Sequence, residues 1–293
     1  MKKQTVSALL GAIALAAGGV HAAIITTSIT GGATAAGMVD ALTGTSSGIT
    51  VSNITYTGAN NASGVFTGGS GVIGFEQGIL LTSGSASNVI GPNTLPNTST
   101  DNGLPGDASL NTLVPGTQDA SVLEFDFTPT GNRVTFSYVF GSEEYNEFVN
   151  AGVNDVFGFF INGINVALLP GTSTPVSIDT VNLGLNAGSF VNNEGGGLNT
   201  QLDGLTTVLF IDAAVNPNVL NHLKIAIADV GDSIYDSAVF IQTGTFTVCG
   251  GPGQPPCTGG DPDPNPNPVP EPASLALFGL GIAGLASVRR KRK

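Results

Sequence analysis

Between residues 121 and 127 the chain alternates strictly, with Leu123, Phe125 and Phe127 on one side and Glu124 and Asp126 on the other. A period of two is the mark of a β-strand that buries one face. After Gly131 and Asn132, which suit a tight turn, Val134, Phe136, Tyr138 and Phe140 repeat the pattern. The two runs are therefore expected to form an antiparallel hairpin with an aromatic core face. Burying each Phe contributes about 1.5–3 kcal/mol, so this pair and the apolar run 156–161 should anchor the core.

Further strand signals fall at 49–56, 78–82, 206–211, 222–228 and 237–247, each bounded by Gly, Asn or Ser. One helical patch is expected at 33–42. With 42 glycines punctuating about ten short apolar runs, the expected fold is all-β. It is a single β-sandwich of jelly-roll type over residues 23–248. The stretch 84–118 is mostly Gly, Pro, Asn, Ser and Thr and reads as a long loop, a class that is often functional or mobile. Within it, Leu95-Pro96-Asn97-Thr98-Ser99 imitates a sortase signal by coincidence, being mid-chain.

Charge excludes one class of partner. Residues 23–248 hold 18 acidic and two basic residues, Arg133 and Lys224, a formal charge of −16. A nucleic acid or an anionic membrane surface would repel such a domain. Cys249 and Cys257 flank a Gly/Pro-rich stretch, where export would let them pair as a small disulfide loop.

Both ends read as addresses. Residues 1–22 carry two lysines, an apolar stretch and small residues before a cut expected between Ala22 and Ala23, the form of a secretory signal peptide. Residues 249–268 form a Gly/Pro-rich linker. Residues 269–293 hold Val269, Pro270, Glu271 and Pro272, then a short apolar run expected to be a transmembrane helix, then five consecutive basic residues. Sixteen helical residues rise about 24 Å, a little short of the hydrocarbon core, and a basic tail held on the cytoplasmic side leaves the large domain outside.

That C-terminal order of motif, apolar run and basic tail resembles the PEP-CTERM sorting signal of Gram-negative bacteria. The resemblance implies an exosortase as partner, a transient inner-membrane stage through the C-terminal helix, and delivery to the cell surface or extracellular matrix. The body resembles choice-of-anchor L domains through DASVLEFDF at 119, FSYVFGSEEYNEFV at 136, NDVFGFFING at 154 and LKIAIADVGDSIYDSAVFI at 223. It implies a surface domain and brings no chemistry with it.

Chemistry must come from the residues themselves. Glu143, Glu144 and Glu147 follow one strand, Asn154 and Asp155 precede the next, and Asp229, Asp232 and Asp236 lie between two more. Carboxylates converging without basic partners repel, and a Ca²⁺ ion, which takes six to eight oxygen ligands, relieves that repulsion. The expected site comprises Glu143, Glu144, Asn154, Asp155, Asp229, Asp232 and Asp236, with a structural role. For any one acid taken alone, a solvated loop position is the alternative.

A calcium-assisted site for extracellular polysaccharide is a second reading, since Tyr145 and Tyr235 lie in the acidic loops. The chain has no Trp, which weakens sugar stacking. A glycoside hydrolase is disfavoured because adjacent residues such as Glu143 and Glu144 point to opposite sides of an extended segment. His222, the one histidine after residue 22, carries no nucleophile motif, so the chain is not expected to be an enzyme.

Overall fold

The computed structural model describes residues 23–44 and 48–257. The expected signal peptide (1–22) and the sorting motif with its apolar run and basic tail (269–293) lie outside them. Among the described residues no helix is long and apolar enough to cross a membrane.

Short β-branched and aromatic runs, many of them followed closely by Gly, Asn or Pro, give fourteen strands and one α-helix among the described residues. The first half holds β1 (Ile25–Ser28), α1 (Ala35–Thr43), β2 (Ile49–Thr57), β3 (Ser63–Thr67), β4 (Gly78–Thr82), β5 (Thr117–Pro129), β6 (Arg133–Ser142) and β7 (Val156–Ile161). The second holds β8 (Ile164–Asn165), β9 (Phe190–Asn192), β10 (Gly204–Thr206), β11 (Leu209–Ala214), β12 (Asn221–Val230), β13 (Ser237–Gln242) and β14 (Thr247–Cys249). The Thr34 hydroxyl caps α1 by accepting the Gly37 N–H at 3.0 Å, and Met38, Val39 and Leu42 turn into the core.

The strands form two antiparallel sheets. The nine-stranded sheet runs β1-β3-β4-β13-β6-β10-β9, with β11 and β14 also paired to β6. The five-stranded sheet runs β2-β5-β12-β7-β8. β6 is long enough to take two partners along each edge. Where one partner hands over to the next, hydroxyls complete its ladder: Thr206 accepts the Phe140 N–H at 3.0 Å and Thr245 the Ser137 N–H at 3.1 Å. The expected single strands 206–211 and 237–247 are thus each split by such a handover.

The expected hairpin of 121–127 with 134–140 does not form. β5 belongs to the smaller sheet and β6 to the larger, and residues 130–132 carry the chain from one sheet to the other. Both strands still turn their rings inward, but toward each other across the sandwich. Phe136 stacks on Phe159 of β7 with centroids 3.8 Å apart, and Phe246 meets Phe125 and Phe127 edge-on at 5.9 and 5.3 Å. This inter-sheet layer is the main core.

Each sheet also has a covered outer face. Val72, Ile73 and Phe75 pack over Phe66, Leu80, Val139 and Phe240 of the larger sheet, and Leu110 packs with Val122, Phe160 and Ala226 on the smaller one. Strand pairing fixes two ends. Ser142, Ser237, Thr82, Val230 and Val156 share one end, while Arg133, Cys249, Ala214, Asn221 and Ile161 lie toward the other. At the second end Cys249 and Cys257 form a disulfide.

Candidate functional site

At the first end, strand termini deliver acidic side chains into the interior. In β12, Ile225 and Ile227 point into the core, and by the strand period Asp229 occupies the next inward position. Opposite it β5 carries a bulge, with Asp119 at φ 47°, where the register with β12 shifts between Ile227 and Asp229. Asp155 stands one residue before β7 and Asp236 one before β13. Past β6 the Ser142 hydroxyl accepts the Glu144 N–H at 2.9 Å, and the Glu143 N–H donates to the Asp236 carbonyl at 3.1 Å. Glu143, Glu144, Asp155, Asp229 and Asp236 are all 2% exposed or less. They are a buried rim, not solvated loop residues.

Burial and mutual repulsion favour the neutral form of each acid. Glu143 accepts the Thr98 N–H at 3.2 Å on one oxygen and has no partner on the other. Burial first, then the charges of Asp203 and Asp236, push its pKa up to about 9. Neither oxygen of Glu144 has a hydrogen-bond partner, and burial followed by Asp232 and Asp229 raises it to about 8. Asp155 accepts from the Val230 N–H at 3.0 Å and the Ser237 hydroxyl at 2.8 Å, yet burial and Glu144 hold it well above the carboxylate range. Asp229 is raised likewise by burial and by Asp155, against the Ser83 hydroxyl, which lowers it. Asp236 rises to about 6 through burial, restrained by the Thr100 N–H at 3.1 Å and the Asn88 amide at 2.8 Å.

Those restraining donors come from the long loop after β4. Besides Asn88, Thr98 and Thr100, it places the Asn93 amide 2.6 Å from Asp203 and the Asn102 N–H 2.8 Å from Asp119. Gly84 starts this cover, lying so close over Asp236 that a methyl group there would overlap the carboxylate. Sequence reading missed Asp119 and Asp203, both buried. The available signal was the loop's own composition, rich in amide and hydroxyl donors and poor in cations. The segment imitating a sortase signal is part of this cover.

Two expected ligands stand apart. The Asn154 side-chain oxygen is taken up by the Asp179 N–H at 3.0 Å. Asp232 is half-buried and accepts the Ile234 N–H at 3.2 Å, although its charge reaches Glu144. Basic groups are engaged elsewhere: Arg133 pairs with Asp212 at 2.6 Å and Lys224 with Asp107 at 2.7 Å. His222 lies on the outer face of β12, with Nδ1 2.8 Å from Asp126.

Among the described residues, the one trio of acidic, cysteine or histidine ligand atoms within 4.8 Å of one another is Asp212, Cys249 and Cys257, whose sulfurs are joined in the disulfide. The rim carboxylates thus spread along the end of the sandwich, and a cation among them must draw on further oxygens.

Sugar stacking finds no platform in Tyr145, which is fully buried and donates its hydroxyl to the Val181 carbonyl at 2.7 Å. Tyr235 packs against Phe148 at 4.8 Å. Two open grooves, one lined by Leu104, Asp107, Val122 and Glu124 and the other by Arg133, Ile164, Asp212 and Val215, include no rim carboxylate.

Comparison with known families matches residues 27–247 to the Choice-of-anchor L domain and residues 268–292 to the PEP-CTERM protein-sorting motif. Neither the curated proteins nor the solved structures yield a match.

Proposed function

This chain belongs to the choice-of-anchor L domain family, and we propose that it serves as a structural or adhesive domain of the extracellular matrix whose acidic rim is completed by calcium. The PEP-CTERM motif marks an exported, surface-associated protein recognised by an exosortase. Both matched families concern sorting and anchoring. Glu143, Glu144, Asp155, Asp229 and Asp236 are the proposed ligands, with Asp232 and Asn154 at the margin.

One observation carries the calcium reading: Glu144 is fully buried and neither of its carboxylate oxygens has a hydrogen-bond partner. Leaving a buried polar atom unsatisfied costs about 1–3 kcal/mol, more when it is charged. Protonation removes the charge but leaves the new Glu144 O–H in need of an acceptor. A hard divalent cation answers both needs, drawing backbone carbonyls and amide oxygens into its shell alongside the carboxylates. Because the rim is sealed by the loop after β4, the ion's work is to hold strand ends and cover together.

The test is thermal unfolding of the purified protein in EDTA, then in millimolar CaCl₂, with MgCl₂ as the control. Calcium at about 100 times its dissociation constant stabilises by about 2.7 kcal/mol, a rise of about 5–10 °C for a domain this size. The combined variant Glu144→Gln, Asp229→Asn should lose that rise while still unfolding cooperatively. A wild-type protein that melts identically in EDTA and calcium overturns the metal reading.

A further inference from the structure

Lys224, the one lysine among the described residues, lies on the outer face of β12 between Glu124 of β5 and Phe160 of β7. Its Nζ is 2.7 Å from Asp107 Oδ2, 3.2 Å from Ser109 Oγ and 3.6 Å from Glu124 Oε1. The lysine and aspartate side chains are only 15% and 12% exposed. Asp107's other oxygen, Oδ1, accepts the backbone N–H groups of Ser109 at 2.8 Å and Leu110 at 3.1 Å. Leu110 is itself fixed in the apolar cluster with Val122, Phe160 and Ala226. Nucleophile, carboxyl carbon, proton carrier and paired N–H donors thus meet at one point, held by strands on one side and a packed turn on the other.

We propose that Lys224 and Asp107 join in a side-chain amide, an isopeptide bond formed within the folded domain. The ammonium group passes one proton to Asp107 Oδ2, 2.7 Å away, which leaves a neutral carboxyl group, and the freed Nζ lone pair attacks Asp107 Cγ. Negative charge gathers on Oδ1, where the Ser109 and Leu110 N–H groups already point, the arrangement that stabilises a tetrahedral intermediate. The Cγ–Oδ2 bond then breaks. Oδ2 departs as water with the two protons Nζ gives up, the first passed directly and the second through Glu124, whose Oε1 lies 3.6 Å from Nζ. Ammonium and carboxylate become amide and water, with no change in net charge and no oxidant, reductant or activated donor. Fixed juxtaposition supplies the driving proximity, which in well-oriented intramolecular reactions equals an effective concentration of about 10⁵–10⁸ M. The bond ties the segment covering the smaller sheet to that sheet's central strand.

Peptide mapping of the purified full-length protein, reduced and denatured before digestion, reads the bond directly. The expected product is a branched peptide containing Asp107 and Lys224, lighter by one water than its two arms together. Lys224→Arg, which keeps the ion pair but lacks the amine, should abolish it, and Glu124→Gln should leave most molecules unlinked. Folded wild-type protein that yields Asp107 and Lys224 only in separate linear peptides overturns the proposal. A Glu124→Gln variant that links as completely and as fast as wild type overturns the role given to Glu124.

Discussion

At the end of the sandwich where Cys249 lies, the loops are closed by bonds the chain makes for itself. The disulfide joins Cys249 to Cys257, the Val215 N–H donates to the Asn132 carbonyl at 2.9 Å, and the Asn218 N–H donates to the Pro129 carbonyl at 2.7 Å. Asn221 ties its turn through the carbonyls of Asn216 and Val219, and Arg133 offsets Asp212. At the opposite end, seven buried carboxylates, Glu143, Glu144, Asp155, Asp229, Asp236, Asp119 and Asp203, stand among hydroxyls and amides, and no basic side chain of the described residues pairs with them. The first end is self-sufficient. The second must take a proton or a cation from its surroundings, so its stability should follow pH and calcium more steeply than the other's.

That contrast is broken or sharpened by five measurements. The largest effect should come from pH in EDTA. The folded-state pKa values of Glu143, Glu144 and Asp236 lie near 9, 8 and 6, above the unfolded value near 4, so the folded protein binds more protons across that window. Melting temperature should therefore fall as pH rises from about 5 to 9, and saturating calcium should flatten the slope. A slope unchanged by calcium would break the link between rim and ion.

Next, calcium titration of the Glu144→Gln, Asp229→Asn variant should show no stabilisation where the wild type gains about 2.7 kcal/mol near saturation. Replacing Cys249 and Cys257 by serine should cost roughly 2–3 kcal/mol in denaturant unfolding, with the calcium response intact. Gly84→Ala should cost about 1–3 kcal/mol by overpacking Asp236 and should weaken calcium binding in the same titration. Smallest is Arg133→Ala: its pair with Asp212 is about one-third exposed, and urea unfolding should register under about 1 kcal/mol.

The same two ends show what a sequence discloses and what it withholds. Alternation in β5 and β6 revealed two strands with aromatic inner faces, but a one-sided pattern is satisfied equally by a hairpin or by two sheets packed face to face. Only the packing of Phe136 on Phe159 decides between them. Residues 156–161 matched β7 because a run apolar on both faces fits a strand covered on both sides. The acids at strand ends could be gathered from their positions, since strand ends of a sandwich share a rim. Asp203 and Asp119 could not be placed from their own positions, because their burial depends on a covering loop whose donor-rich composition signals a cover but whose path no local pattern encodes. Asn154 was expected among the ligands for its oxygen, but the nearby Asp179 N–H claims that atom instead.

The pairing of β14 with β6 has a mechanical consequence. The described domain ends at Cys257, and a pull applied there and directed along β14 passes through the disulfide to Cys249 and into that strand. Ladder bonds in an antiparallel pair stand perpendicular to the strands, so this force loads the bonds to β6 together in shear, where a pull across the strand would open them one at a time. The disulfide joins cysteines eight positions apart in sequence, which keeps slack out of that line of force. Tension reaching the domain from its C-terminal side is taken first by the central strand of the larger sheet, and the acidic rim lies at the far end of that strand.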